Sequence, residues 1–216
     1  MIMVYVKSYG EPPFNIKEIM RYSGIGTLTD DMETLLGECI GEVSGKLSYK
    51  VCYEELPLSF CDEYTIMGTI RTPSEDIRKT LQNCSRVIAF AATVGIEIDR
   101  IIAKYSSLAP SKAICFQAIG AERIEALCDM FCKDISGQIF RFSPGYGDFS
   151  IEMQRDIFTL LDPPRRIGLT LNDSLLMSPS KSVTAIVGIC RQDGAEIIKH
   201  SCDACLKTDC EYRRKR

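Results

Sequence analysis

The sequence predicts an α+β fold, a twisted antiparallel or mixed sheet with flanking helices, in one domain over residues 1–195 followed by a cysteine-rich tail at 196–216. Three observations predict it. Segments with three-and-four apolar spacing interleave with segments rich in β-branched and aromatic residues, without the strict alternation of a parallel sheet. The stretch "RVIAFAATVG" at 86–95 is apolar on every side, which suits a central strand covered on both faces. The length of 216 residues, 45% of them hydrophobic, is enough to enclose a substantial core.

The elements follow in order. Pro12 and Pro13 end a first strand-like segment. "NIKEIMRYSG" reads as a short helix opened by Asn15, with Ile16, Ile19 and Met20 on one face and Gly24 as its stop. "TDDMETLLGECIGEVSG" reads as a second helix. Thr29 caps it, Asp30 and Asp31 sit at the positive end of its dipole, and Met32, Leu35, Leu36, Cys39, Ile40 and Val43 form its apolar stripe. Residues 1–45 are therefore expected to be a mainly helical opening part. "LSYKVCYEELPLSF" and "EYTIMGTI" read as strands joined by short turns. Pro73 and the acids after it open a helix running to Leu81. Beyond the central strand, helices are expected at about Ile96–Tyr105 and Ser111–Ile135. A further helix in "FSIEMQRDIFTLLDPP" starts at Asp148 or Ser150 and stops before Pro163 and Pro164, with Phe149, Met153, Ile157, Leu160 and Leu161 facing inward. "RIGLTL" and "KSVTAIVGI" supply the last strands.

Bulk properties exclude several functions. A net charge of -3 argues against nonspecific nucleic-acid binding, and the terminal Arg213, Arg214, Lys215 and Arg216 read as a solvated tail. No apolar run reaches the roughly 20 residues that span a bilayer, and the N-terminus has no signal-peptide pattern. Eleven cysteines in such a chain point to a reducing cytoplasm, with thiols or metal ligands rather than disulfides. No Gly-x-Ser-x-Gly elbow or P-loop is present, and the one histidine, His200, lies in the tail.

"RFSPGYGDFS" at 141–150 carries the most specific chemistry. Pro144 fixes φ, Gly145 follows where a type II turn needs positive φ, and Gly147 allows a close approach. Arg141, expected at the end of a strand, offers a flat fork for a carboxylate, and Tyr146 offers a ring face and one hydroxyl. On chemistry alone, a plain strand-to-helix connection with a structural arginine competes with a ligand clamp.

Here the sequence resembles a known family. RFSPGY at 141–146 is similar to the Arg-x-x-Pro-Gly-Tyr motif of the S-adenosylmethionine-binding activation domain of cobalamin-dependent methionine synthase. The similarity continues through "IGLTLNDSLLMSPSKSV" at 167–183 and reaches back to "AIGAERIEALCD" in the long helix. The resemblance implies an activation-domain-like fold and a protein that binds S-adenosylmethionine and supports reductive methylation of cobalamin. Arg141 would hold the methionine carboxylate, and the backbone near Ser143, Gly145 and Tyr146 would line the adenine pocket. A carboxylate should face the ligand's amino or ribose groups. Glu122, Glu125 and Asp129 share one helix face, and Glu122 or Glu125 is favoured. No cobalamin-binding Asp-x-His-x-x-Gly occurs in the chain. Any cobalamin is thus expected on a partner, a separate methionine synthase or other corrinoid methyltransferase, with an electron donor as second partner. Two alternatives stand beside this: a module that docks on a corrinoid protein without binding S-adenosylmethionine, and a metal-dependent electron-transfer accessory protein.

The second alternative rests on "HSCDACLKTDCEYRRKR". Cys202, Cys205 and Cys210, with His200 or Cys190, could complete four ligands for zinc or an iron–sulfur cluster. A cysteine-bearing tail without metal is the competing reading.

Overall fold

A computed structural model describes residues 3–24, 26, 28–136 and 141–190. Strand β1 (Tyr5–Tyr9) leads through Pro12 and Pro13 into helices α1 (Ile16–Ser23) and α2 (Asp30–Val43). Strands β2 (Tyr49–Cys61), β3 (Tyr64–Met67) and β4 (Ile70–Thr72) follow, then α3 (Glu75–Leu81) and β5 (Cys84–Thr93). Helices α4 (Glu97–Leu108) and α5 (Pro110–Ser136) come next, and α6 (Met153–Leu161), α7 (Pro163–Ile167), β6 (Thr170–Leu171), β7 (Met177–Ser178) and β8 (Ser182–Cys190) complete the order.

The main sheet runs β4-β3-β2-β5-β8, with β1 paired to β2, and every pairing between its strands is antiparallel. The 13-residue β2 serves two partners on one edge: β1 along residues 49–53 and β3 along 58–61. Pro57, which has no N–H to donate, falls at the changeover, and its carbonyl accepts from Gly68. The sheet curls there. β5 lies between β2 and β8, in the central position expected of an all-apolar strand.

The alternation of β5 divides the interior into two layers. Ile88, Phe90 and Ala92 point into a core shared with α1, α2, α4 and α5. Val87, Ala89 and Ala91 point into a second core closed by α3, α6 and α7. The helix ends follow their caps. Asn15 accepts from the amide of Glu18 and Gly24 closes α1 at φ 73°, while Thr29 accepts from the amide of Met32.

Several expectations are corrected. α6 begins at Met153, after a turn in which Ser150 accepts from the amides of Glu152 and Met153, while the other expected cap, Asp148, is engaged elsewhere. α6 stops at Leu161, before Pro163 as expected, but Pro163 opens a further short helix, α7, proline being well tolerated in a first turn, so "RIGLTL" yields only a two-residue strand. Arg141 lies outside any named strand; its neighbour Phe142 forms an isolated bridge to Ile186. Cys84 is disulfide-bonded, against the expectation of thiols or metal ligands, and its register partner across the β5–β8 ladder is Cys190. No helix among the described residues is long and apolar enough to cross a membrane.

Candidate ligand site

The turn at 143–149 is built as its sequence requires. The amide of Tyr146 donates to the carbonyl of Ser143 at 3.2 Å around Pro144 and Gly145, and Gly145 has φ 93°. Two further bonds, Gly145 N to Phe149 O and Phe149 N to Tyr146 O, close the loop on itself. The turn is locked to α3 by a reciprocal pair of aspartates. Asp148 accepts from Ser74 Oγ and from the amides of Glu75 (2.7 Å) and Asp76 (3.2 Å). Asp76 in turn accepts from the amide of Asp148. Burial works against the Asp148 charge, but these donors outweigh it and hold the carboxyl below its ordinary range. The close approach expected at Gly147 is made by Asp76: a Cβ there would collide with its Oδ2.

With the turn fixed, Arg141 reaches α5. Its Nη1 donates to Asp129 Oδ1 at 2.5 Å and its Nη2 donates to Glu125, with the guanidinium side chain 12% exposed. Residues i and i+4 of one helix face thus meet one arginine from a separate segment. Burial would lower the Arg141 pKa, yet neighbouring Cys128, Glu125 and Asp129 raise it and keep the charge. Burial pushes the Cys128 and Cys132 thiols up as well, Cys132 to about 12, against the lowering pull of the guanidinium.

Glu125 and Asp129 also line a groove of about 330 Å³ between α5 and α1. Glu122 and Ala126 complete the α5 wall, and Pro13, Asn15, Glu18 and Tyr22 form the other. Desolvation, with Glu125 next, raises the Tyr22 pKa. Glu122 is 3% exposed, and its two oxygens are engaged by Arg123 and the amide of Asn15. Tyr146 is 69% exposed and does not line this groove. The structure therefore brings Arg141, Glu125 and Asp129 together and ties Glu122, on the same groove wall, to Arg123, while the ring at the groove is Tyr22. Sequence reasoning passed over Glu18 and Tyr22. They stand at i and i+4 of α1, and Tyr22 also packs on the core that buries Ile19.

Of the metal-ligand candidates, His200, Cys202, Cys205 and Cys210 lie outside the described residues, as does the side chain of Cys190. Among the described residues, no group of three or more His, Cys, Asp or Glu is placed to hold a metal ion.

A curled antiparallel sheet between two helical layers, with a long helix facing an Arg-x-x-Pro-Gly-Tyr turn, defines a reactivation-domain fold. The crystal structure of the MetH reactivation domain bound to AdoHcy has this fold: it matches with a TM-score of 0.66 at 12% sequence identity, over 90% of this chain and 81% of that one. No protein-family model and no curated protein matches the sequence itself.

Proposed function

We propose that the chain binds S-adenosylmethionine in the groove between α1 and α5. In this reading it supports reductive methylation of a cobalamin held by a separate methionine synthase or other corrinoid methyltransferase. The observation that carries the proposal is that Arg141, itself outside the groove lining, pairs with Glu125 and Asp129, which line it. The amino-acid end of the ligand is a zwitterion. Its carboxylate takes Arg141 while Glu125 or Asp129, so released, takes its ammonium, and an internal ion pair is exchanged for two to the ligand.

Charge supports the same ligand. Glu18, Glu122, Glu125 and Asp129 stand against Arg21, Arg123 and Arg141, four carboxylates to three guanidiniums, one net negative charge for a ligand whose sulfonium makes it a net cation. The volume of about 330 Å³ falls within the range of small-molecule sites, about 300–1,000 Å³. Ser143, Gly145 and Tyr146, which lie outside the groove lining, would receive the adenine along the turn. When bound, S-adenosylmethionine would supply a methyl group to one-electron-reduced cobalamin on the partner, the electron coming from a separate donor. The fold shared with a domain solved with AdoHcy bound supports the ligand class.

A docking module without S-adenosylmethionine binding is the second reading. It is favoured by the engagement of both outer nitrogens of Arg141 and by the exposure of Tyr146. Isothermal titration of the full chain with S-adenosylmethionine decides between them. Saturable heat that is lost in Arg141→Ala supports binding. No heat from the parent protein, with Arg141→Ala indistinguishable from it, leaves the docking module, whereas equal saturable heat from both would keep binding and take Arg141 out of the site.

A further inference from the structure

The Arg123 side chain is fully buried, next in sequence to a groove residue but absent from the groove lining. Its surroundings show where its donors go. Nε and Nη2 hold Glu122 at 2.6 Å each, Nη1 donates to the carbonyl of Pro12 at 2.5 Å, and Nη2 also donates to the carbonyl of Pro13 at 2.7 Å. The Phe14 ring lies 3.9 Å from the guanidinium carbon. Two successive prolines have no amide hydrogen, so carbonyls are the backbone handles by which this segment can be held. A planar fork can hold two consecutive carbonyls and a carboxylate at once, which a lysine ammonium cannot do with the same geometry. Glu122 then fixes the amide of Asn15 at 3.2 Å, and Asn15 is the cap of α1.

We infer that Arg123, acting with Glu122, is a positioning residue for the groove. It sets where Pro13 and Asn15 stand and where α1 begins, and hence where Glu18 and Tyr22 face Glu125 and Asp129. Affinity then depends on a side chain that never touches the ligand, because a wall displaced by about 1 Å loses much of a site's binding. The inference rests on the proposed binding of S-adenosylmethionine at this groove. The segment has other moorings: Glu11 accepts from Ser44, Gly45 and Tyr49, and Ile19 of α1 is buried in the core with α5. Loss of Arg123 therefore displaces the wall while α1 stays docked.

The test separates positioning from bulk stability. Arg123→Met leaves Glu122 buried without its cation and is expected to lower the Tm. The double variant Glu122→Gln with Arg123→Met removes both charges and keeps an acceptor for Asn15, so the Tm is expected to recover toward that of the parent. Affinity for S-adenosylmethionine by titration calorimetry should nevertheless stay about 10-fold or more below the parent in both variants. Amide hydrogen exchange of the ligand-free double variant should speed up at residues 14–18 and stay unchanged in α4. A double variant that binds like the parent, or keeps its protection at 14–18, overturns the inference. If the parent itself gives no binding heat, the proposed function fails, and the exchange rates alone then decide whether Arg123 holds the wall.

Discussion

The two faces of the sheet are built on different terms. On the α5 face the charged groups named above are partnered: Arg123 with Glu122 and two carbonyls, and Arg141 with Glu125 and Asp129. On the α6–α7 face, buried polar atoms of Glu54, Gln154 and Thr184 have no hydrogen-bond partner. Glu54 and Thr184 belong there by register, opposite Ala89 and Ala91. Gln154 is on α6, whose Ile157 and Leu161 are part of that core. Satisfied charge near a groove marks a region organised to present chemistry, whereas unsatisfied polarity in a closed layer marks stability given up. The turn at 143–149 joins the two, since Phe149 is buried among the α6 core residues while Arg141 pairs with α5.

The largest expected effect breaks the α5 face outright. Phe131 is fully buried, with ring centroids 5.0 Å from Tyr53 and 4.8 Å from Phe90. Phe131→Ala should cost about 3–5 kcal/mol of unfolding free energy by denaturant titration. Next comes the joint between the faces. Gly147 has φ 53° and Asp76 against it, so Gly147→Ala should cost about 1–3 kcal/mol and weaken S-adenosylmethionine binding, although residue 147 is not in the groove. Unchanged affinity would detach the turn from the site.

On the opposite face the sign reverses. Burial raises the Glu54 pKa, with Arg166 opposing, so the folded state favours the protonated acid. That contribution is complete below the unfolded value of about 4.3 and is lost as pH rises through the folded value. Glu54→Gln should therefore gain about 1 kcal/mol at pH 7, seen as a Tm higher by about 3 °C, with the advantage shrinking toward pH 4. The smallest effect is at Asp148, whose depressed pKa contributes stability above about pH 4 that is lost as pH falls through its folded value. Asp148→Asn should flatten that acid limb in a Tm-against-pH series.

Much of this organisation was legible in the sequence where one local rule decided it. Asn15, Thr29 and Gly24 mark helix ends by capping chemistry, the apolar run at 86–95 marks the middle of the sheet, and Pro144–Gly145 marks its turn. Features that depend on distant partners were not legible. Asp148 looks like a cap for the helix after it and caps α3 instead, 74 residues upstream at Ser74. Glu122 and Glu125 look equivalent along one helix, but Glu122 pairs with Arg123, which the Pro12 and Pro13 carbonyls hold, whereas Glu125 pairs with Arg141. Tyr146 drew notice through its motif, whereas Tyr22 reaches the groove through the packing of α1 on α5, which no local pattern announces.

The central claim is that the groove between α1 and α5, together with the turn at 143–149, forms one S-adenosylmethionine site. Amide hydrogen exchange of the full chain with and without S-adenosylmethionine tests it most directly. Added protection at residues 14–22, 122–129 and 141–149, with α6 and α7 unchanged, is the result expected. Saturating ligand that protects none of these segments, or protects only the α6–α7 face, would contradict it.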